Sequence, residues 1–177
     1  GANEHLLMNK TGCVMELVCE APAKINLYLA IKGKRADGFH NLETRMVKLT
    51  LADRLRLSRL DSGITVECPG SDLPTGEGNL VYRAARDFLV ALDTGGGVCI
   101  VLEKNVPIAA GLGGGSSDAA AVLRGLNTLY GSPFSFEQLI ALARPLGADV
   151  PFFVAECTAA WATGIGDEIH ADDIVLS

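Results

Sequence analysis

The sequence predicts an α+β fold, a mostly antiparallel sheet with helices on one face. Three features carry that expectation. Apolar residues alternate with period two in the early part of the chain and recur at helical spacing in the middle, and a glycine-rich loop leads from a strand into a strongly periodic helix.

Ile25, Leu27, Leu29 and Ile31 alternate with Asn26, Tyr28 and Ala30, the pattern of a half-buried strand. Val47, Leu49 and Leu51 repeat it, as do Leu55 with Leu57 and Ile64 with Val66. Gly38 and Asn41 mark a turn between the first two strands, giving a hairpin-like meander. Asn79 is a good helix N-cap, and Val81, Ala84, Ala85, Phe88 and Leu92 keep helical spacing until the glycines at 95–97 stop it. Residues 98–102 form a short apolar run that reads as a buried strand. Beyond the glycine loop a second helix places Ala119, Val122, Leu123, Leu126 and Tyr130 on one face. A third opens with a capping box of Ser135 and Gln138, stapled by Phe134 against Leu139, and Pro145 closes it. Residues 152–154 and 158–163 read as final strands, and 172–177 pass from acidic to apolar as another element would begin.

A chain of 177 residues fits one domain, or one domain and the start of a second. Its 49% apolar and 20% charged residues suit a globular core that needs neither disulfides nor a structural metal. A net charge of −6 and a pI near 5.0 argue against a protein that coats nucleic acid or an anionic membrane. An anionic ligand must meet a local positive site instead. No apolar run approaches the roughly 18 residues of a membrane span. Cys13, Cys19, Cys68, Cys99 and Cys157 are scattered without a C-x-x-C pair, and read as small buried hydrophobes in a reduced compartment. The chain thus reads as cytoplasmic, with residues 1–7 a tag remnant or disordered start rather than a signal peptide.

The stretch PIAAGLGGGSSD, residues 107–118, carries the strongest chemical signal. Gly111, Gly113, Gly114 and Gly115 let a ligand approach the main chain, and Ser116, Ser117 and the first helical amides offer donors at the positive end of the helix dipole. It is not a Walker A loop, because no Lys-Ser/Thr follows the glycines, and Ser116 stands where a dinucleotide fingerprint needs its third glycine. Lys24, at the mouth of the first strand, reads either as a solvated edge charge or as a cation for phosphoryl transfer. Asp149, in a tight connection, reads either as a turn-former or as the carboxylate that orients or deprotonates an attacking hydroxyl. Phe39 beside His40 reads either as cover for the core edge or as a pair that stacks on and hydrogen-bonds a flat heterocycle.

Three blocks stand in order across residues 20–166: APAKINLYLAIKGKRADGFHNLET, NVPIAAGLGGGSSDAAAVLRGLN and LGADVPFF. Together they resemble the GHMP kinase superfamily, and RADGFH resembles the branch whose alcohol substrate is linked to cytidine diphosphate. The resemblance implies the superfamily's N-terminal domain, a ribosomal protein S5 domain 2-like fold, over residues 13–170. Residues 1–12 would be the tag remnant and 171–177 the start of a C-terminal domain not contained here. It implies transfer of the ATP γ-phosphoryl to the 2-hydroxyl of a cytidine diphosphate-linked methylerythritol in non-mevalonate isoprenoid precursor synthesis. The expected setting is the bacterial cytoplasm, with a small-molecule substrate and neither nucleic acid nor membrane as partner. Lys24 and Asp149 match the family's catalytic pair. Pro107, Ala110, Gly111, Leu112, Gly113, Gly114, Gly115, Ser116 and Ser117 match its ATP phosphate loop, while Asn79 and Lys104 match positions lining the nucleotide pocket. His40 matches the residue that reads the cytosine edge, Asn26 a polar contact near the substrate, and Phe39 a ring that is tyrosine in many relatives. Mg²⁺ is expected as the counter-ion that the phosphate charge needs, its protein ligands left open and Ser117 one candidate. Family members continue into a second domain, so this chain is expected to be a fragment with little activity alone. The alternatives are another GHMP small-molecule kinase, or a catalytically silent nucleotide-binding domain.

Overall fold

The computed structural model describes residues 5–8, 14–108 and 110–172. Its seven strands form one sheet, ordered β1-β2-β3-β5-β4, with β6 on β3 and β7 on β6. The strands are β1 (His5–Met8), β2 (Val14–Lys34), β3 (His40–Leu60), β4 (Ser62–Glu67), β5 (Gly96–Glu103), β6 (Ala159–Thr163) and β7 (Glu168–Ala171). The helices are α1 (Leu80–Leu92), α2 (Gly114–Leu129), α3 (Phe136–Ala143) and α4 (Val150–Val154), with a 3-10 turn (Arg144–Leu146) between the last two. Every pairing is antiparallel except β4 with β5, which α1 connects. No described helix is long and apolar enough to cross a membrane.

The spine is a long hairpin of β2 and β3, 21 residues each, turning at Gly38 with φ 89°. Its two ends differ in burial. Leu17, Cys19, Ala21 and Ala23 are enclosed under the helices, together with Met46, Leu55 and Leu57 from β3. Beyond Lys24 the apolar alternation continues but the cover ends, so Ile25, Leu27, Leu29 and Ile31 are exposed, Ile31 to 67%. The sequence pattern identified the strand correctly and its half-buried state wrongly. Leu51 is exposed as well, because β3 hands its free edge from β6 at Thr44 to Val47 over to β5 from Arg54 onward. Across that hand-over the inward face changes from even to odd positions.

Helix α2 lies at the centre of the helical layer, with Ala119, Ala120, Ala121, Val122, Leu123, Leu126 and Leu129 buried. It presses on the sheet at Gly125, where a Cβ would come 2.3 Å from Leu57 Cδ1. Tyr130 ends it and ties it to β5, its hydroxyl donating to the Gly97 carbonyl at 2.9 Å and accepting from the Gly97 amide at 3.0 Å. The Asn79 cap and the Ser135–Gln138 capping box form as the sequence requires.

Four expectations need correction. Residues 152–154 are not a strand but part of α4, whose first turn holds Pro151. A short apolar run fits helix and strand equally, and proline suits a first helical turn while removing a ladder donor from a strand. Asn41, expected with Gly38 in the hairpin turn, lies instead in β3 opposite Gly33, whereas α3 does end just before Pro145, in a 3-10 turn that opens at Gly147. Helix α1 stops at Asp93, left-handed at φ 53°, before the glycines. Of those, Gly96 and Gly97 begin β5, and a Cβ on Gly97 would lie 2.2 Å from the Gly63 carbonyl oxygen of β4. Residues 5–8, expected in an irregular start, pair with β2 from His5 opposite Val18. The rest of that start and the element expected at 173–177 lie outside the described residues. Cys19 and Cys68 are buried and Cys99 and Cys157 half-buried, while Cys13 falls outside the described residues.

Lys48 fastens the end of α4, donating to the carbonyl of Ala155 and standing 5.1 Å from the Phe152 ring centroid. Burial pushes its pKa from 10.5 down to about 8, with Cys157 and Glu156 pulling upward and Arg124 downward. The folded protein then binds fewer protons than the unfolded chain between pH 8 and 10.5, so stability rises with pH across that window. The melting temperature of the wild type relative to Lys48→Met should therefore increase from about pH 8 to about pH 10. A constant difference would show that the ammonium is not penalised by burial.

Candidate active site

The glycine loop meets β2 at Lys24. The Lys24 amide donates to the Leu112 carbonyl at 2.8 Å, so the loop continues the hydrogen bonding of the strand. Lys24 lies where β2 passes from buried to exposed, its side chain only 8% accessible. Its Nζ donates to Asn26 Oδ1 at 2.7 Å and stands 3.5 Å from Asp149 Oδ2. Asn26 Nδ2 in turn donates to Thr44 Oγ1, and Thr44 donates to the Tyr28 carbonyl, both at 2.7 Å. Lys24 and Asp149, the two residues expected as a catalytic pair, are thus close neighbours, and Asn26 holds Lys24. Thr44, buried at 3%, was not anticipated. Its signal was faint, a hydroxyl at an inward position of β3.

Asp149 precedes α4 as its N-cap residue without a side-chain capping bond, so its carboxylate is not spent on the helix. Its side chain is about one-third exposed. The turn that carries it faces the first turn of α2, for a Cβ on Gly147 would stand 3.8 Å from Ser116 Oγ.

At that first turn Gly113 is the N-cap, left-handed at φ 70°, with no side-chain cap. The amide of Ser117 bonds back to the Gly113 carbonyl at 2.9 Å, but among the described residues the amides of Gly114, Gly115 and Ser116 have no protein acceptor. They open on a cavity of about 360 Å³. Pro107, Ala110, Gly111, Leu112, Gly113, Gly114, Gly115 and Ser116 line it, as do Asn79 and Lys104. Leu73, Pro74, Leu80, Leu102 and Ile108 give it an apolar wall. Ser117 is absent from the lining; its hydroxyl is fully buried and without a partner among the described residues. Asn79 is occupied in capping α1 and donating to the Pro74 carbonyl, so it shapes the rim.

Lys104 is held beneath the loop. Its Nζ lies 2.6 Å from Asp53 Oδ2 and 2.9 Å from Asp118 Oδ2, and Asp53 Oδ1 accepts the amides of Asn105 and Val106. Burial, followed by the hydrogen bond with Asp53, pushes the Asp118 carboxyl up to about 8. Asp53 is disfavoured by burial, yet its hydrogen bonds to Asp118, Lys104 and the two amides hold it below the usual carboxylate range. Two carboxylates this close do not both ionise readily, and Asp118 keeps the proton at neutral pH. The cluster is then one carboxylate and one ammonium, close to neutral. Neither acid was picked out from sequence, although Asp53 shares the inward parity of Leu55 and Leu57, a usable signal.

Phe39 and His40 are not brought to the catalytic pair. They sit at the exposed tip of the hairpin, His40 opposite Lys34. His40 lies six residues along β3 from Met46, the partner of Asn26. That is roughly 20 Å of strand at about 3.3 Å per residue.

Residues 79–156 match the model of the GHMP kinases N-terminal domain. The chain is 55% identical over 150 residues to the 4-diphosphocytidyl-2-C-methyl-D-erythritol kinase of Desulfotalea psychrophila, covering 83% of this chain and 50% of that protein. It is 51% identical over 154 residues to the same-named kinase of Deinococcus radiodurans, covering 86% and 51%. A crystal structure of 4-(cytidine 5'-diphospho)-2C-methyl-D-erythritol kinase superimposes with a TM-score of 0.77 at 45% identity, covering 89% of this chain and 56% of that one. Homoserine kinase from Cytophaga hutchinsonii, at 19% identity and a TM-score of 0.62, shares the fold. The chain spans about half the length of the curated relatives it matches.

The loop glycines should respond unequally to alanine. At Gly113 the left-handed backbone costs about 1–2 kcal/mol, and the new Cβ would meet the Phe153 ring at 2.9 Å and Lys24 Cγ at 3.1 Å. At Gly115 it would meet only Leu80, at 3.9 Å. Gly113→Ala should lower the melting temperature by several degrees, and Gly115→Ala should leave it level or raise it slightly. Equal melting temperatures would show that Gly113 is replaceable in this conformation.

Proposed function

The chain belongs to the GHMP kinase superfamily, whose N-terminal domain it carries, and on that premise we propose that it binds ATP in the glycine-loop cavity for phosphoryl transfer to an alcohol. The observation that carries this reading is the row of unpartnered amides at Gly114, Gly115 and Ser116, beside the Lys24–Asp149 pair. An N-terminal helical turn with free donors favours polyphosphate. The apolar wall of Leu73, Pro74 and Leu80 suits a flat base.

The acceptor in this reading is the 2-hydroxyl of 4-diphosphocytidyl-2-C-methyl-D-erythritol, phosphorylated by an enzyme of the relatives' full length. Asp149, with Oδ2 facing Lys24, offers Oδ1 to the hydroxyl and takes its proton as the oxygen attacks the γ-phosphorus. Lys24, fixed by Asn26, brings its ammonium to the charge that develops between attacking oxygen and phosphoryl group. The loop amides stay on the phosphates throughout and hold the leaving diphosphate. Mg²⁺ would supply counter-charge to the phosphates, but Ser117, whose hydroxyl is fully buried and off the cavity lining, does not fit it as protein ligand. Support for the cytidine-linked substrate comes from the hairpin. An extended nucleotide-linked alcohol can lie along β2 and β3 with its alcohol at Asp149 and its base between Phe39 and His40.

In an enzyme of the relatives' full length carrying this domain, Asp149→Asn should lower kcat at least a hundredfold while changing the ATP dissociation constant little. Retention of the phosphorylation rate in a coupled ADP-release assay would remove Asp149 from the chemistry. Phe39→Ala and His40→Ala should each raise the KM for the cytidylyl substrate about tenfold or more and leave that for ATP nearly unchanged. Equal effects on both substrates would reverse the pocket assignment.

A further inference from the structure

We propose that Asp53 and Asp118 are positioning residues for polyphosphate, acting through Lys104, whose ammonium ties the strand side of the glycine loop to the second turn of α2. The proposal deepens the reading of the loop as a phosphate cradle and rests on it.

The cluster joins three distant parts of the chain. Asp53 comes from the middle of β3, Lys104 follows β5 directly, and Asp118 is the fifth residue of α2. Asp53 holds the near end of the loop through the amides of Asn105 and Val106, at 2.6 and 2.7 Å. Lys104 then spans from Asp53 to Asp118, so the segment between Val106 and Gly114 is pinned at both ends. Its Nζ also lies 3.1 Å from where a Cβ on Gly114 would stand, directly against the first turn of α2.

A cation beside the positive end of a helix is unfavourable on its own. Stability does not account for it well, because replacing a buried ionic cluster with apolar groups is commonly neutral or stabilising. Asp53 is 0% and Asp118 2% exposed, and Asp118 Oδ1 has no hydrogen-bond partner among the described residues. Lys104 and Asp118 both line the cavity. The arrangement therefore keeps an ammonium fixed at the phosphate end of the cavity and holds the free amides of Gly114, Gly115 and Ser116 at one spacing. Asp53 and Asp118 need not touch the ligand to do this.

The test uses the chain as it stands, with Asp118→Leu, Asp53→Leu, Lys104→Met and Lys104→Arg; leucine removes the oxygen that accepts from Lys104, which asparagine would keep. Each is titrated calorimetrically with ATP, inorganic tripolyphosphate and adenosine, and amide exchange is followed in residues 107–116. Both Leu variants should bind ATP and tripolyphosphate about tenfold more weakly, with faster exchange in the loop and adenosine affinity within about twofold of wild type. Lys104→Arg should keep most of the phosphate affinity and Lys104→Met should lose it. Unchanged phosphate affinity in Asp118→Leu, or equal weakening for adenosine and ATP, would overturn the proposal. Melting curves accompany every variant, and if Asp53→Leu does not fold, Asp118→Leu with Lys104→Arg decides. Failure of the underlying reading would look different: tripolyphosphate would leave residues 107–116 of the wild type unprotected, and both ideas would fall.

Discussion

Helix α2 begins at a glycine that has no side chain to cap it and runs into the core with its first three amides unbonded to protein among the described residues. Orphan donors at a helix end need a partner, and here the sheet and the other helices supply none. The helix cannot retreat to satisfy them, because small residues along it let it pack closely on the sheet and Gly125 admits almost no displacement against Leu57. The donors are held at the surface of the cavity by the packing of the body behind them. The anion site is in this sense a consequence of how the core closes.

The residues of the proposed site are all attached to that fixed point. Lys24 is joined to it through the Leu112 carbonyl, Asp149 through the turn at Gly147 that faces Ser116, and Lys104 through Asp118 on the helix itself. None of these residues sits on a free-standing loop. Lys24 is further held by a relay of side chains, Asn26 and Thr44, that ends on a backbone carbonyl of the same strand. Such bracing suits a reaction in which positioning and electrostatics supply most of the rate.

The hairpin of β2 and β3 divides the labour by distance. Its covered half belongs to the core and ends at Lys24, and its uncovered half carries Phe39 and His40 away from Lys24 and Asp149. A ligand that reaches both must be long. In the proposed reading, strand geometry would favour extended substrates before any base contact is made. The fold is shared with homoserine kinase from Cytophaga hutchinsonii, so in the proposed reading selectivity would reside in features such as this tip rather than in the architecture.

Local chemistry was legible from the residues alone. The caps at Asn79 and Ser135, the turn at Gly38 and the passage from glycine loop into helix each depend on a few neighbours in the chain, and the structure has them there, although Asn41, also read into the turn, lies in β3. Burial of the strand after Lys24 was not legible, because alternation says which residues share a face and not whether anything lies on it. Nor was α4, since an apolar run of five residues has no period of its own and Pro151 had to decide. The closest electrostatic contacts were beyond reach for a simpler reason. Asp53, Lys104 and Asp118 approach within 3 Å across separations of 51 and 14 residues, and Lys24 meets Asp149 from the opposite end of the chain. Residue types announced the chemistry available, but ion pairs of such long range exist only once the sheet and α2 have packed.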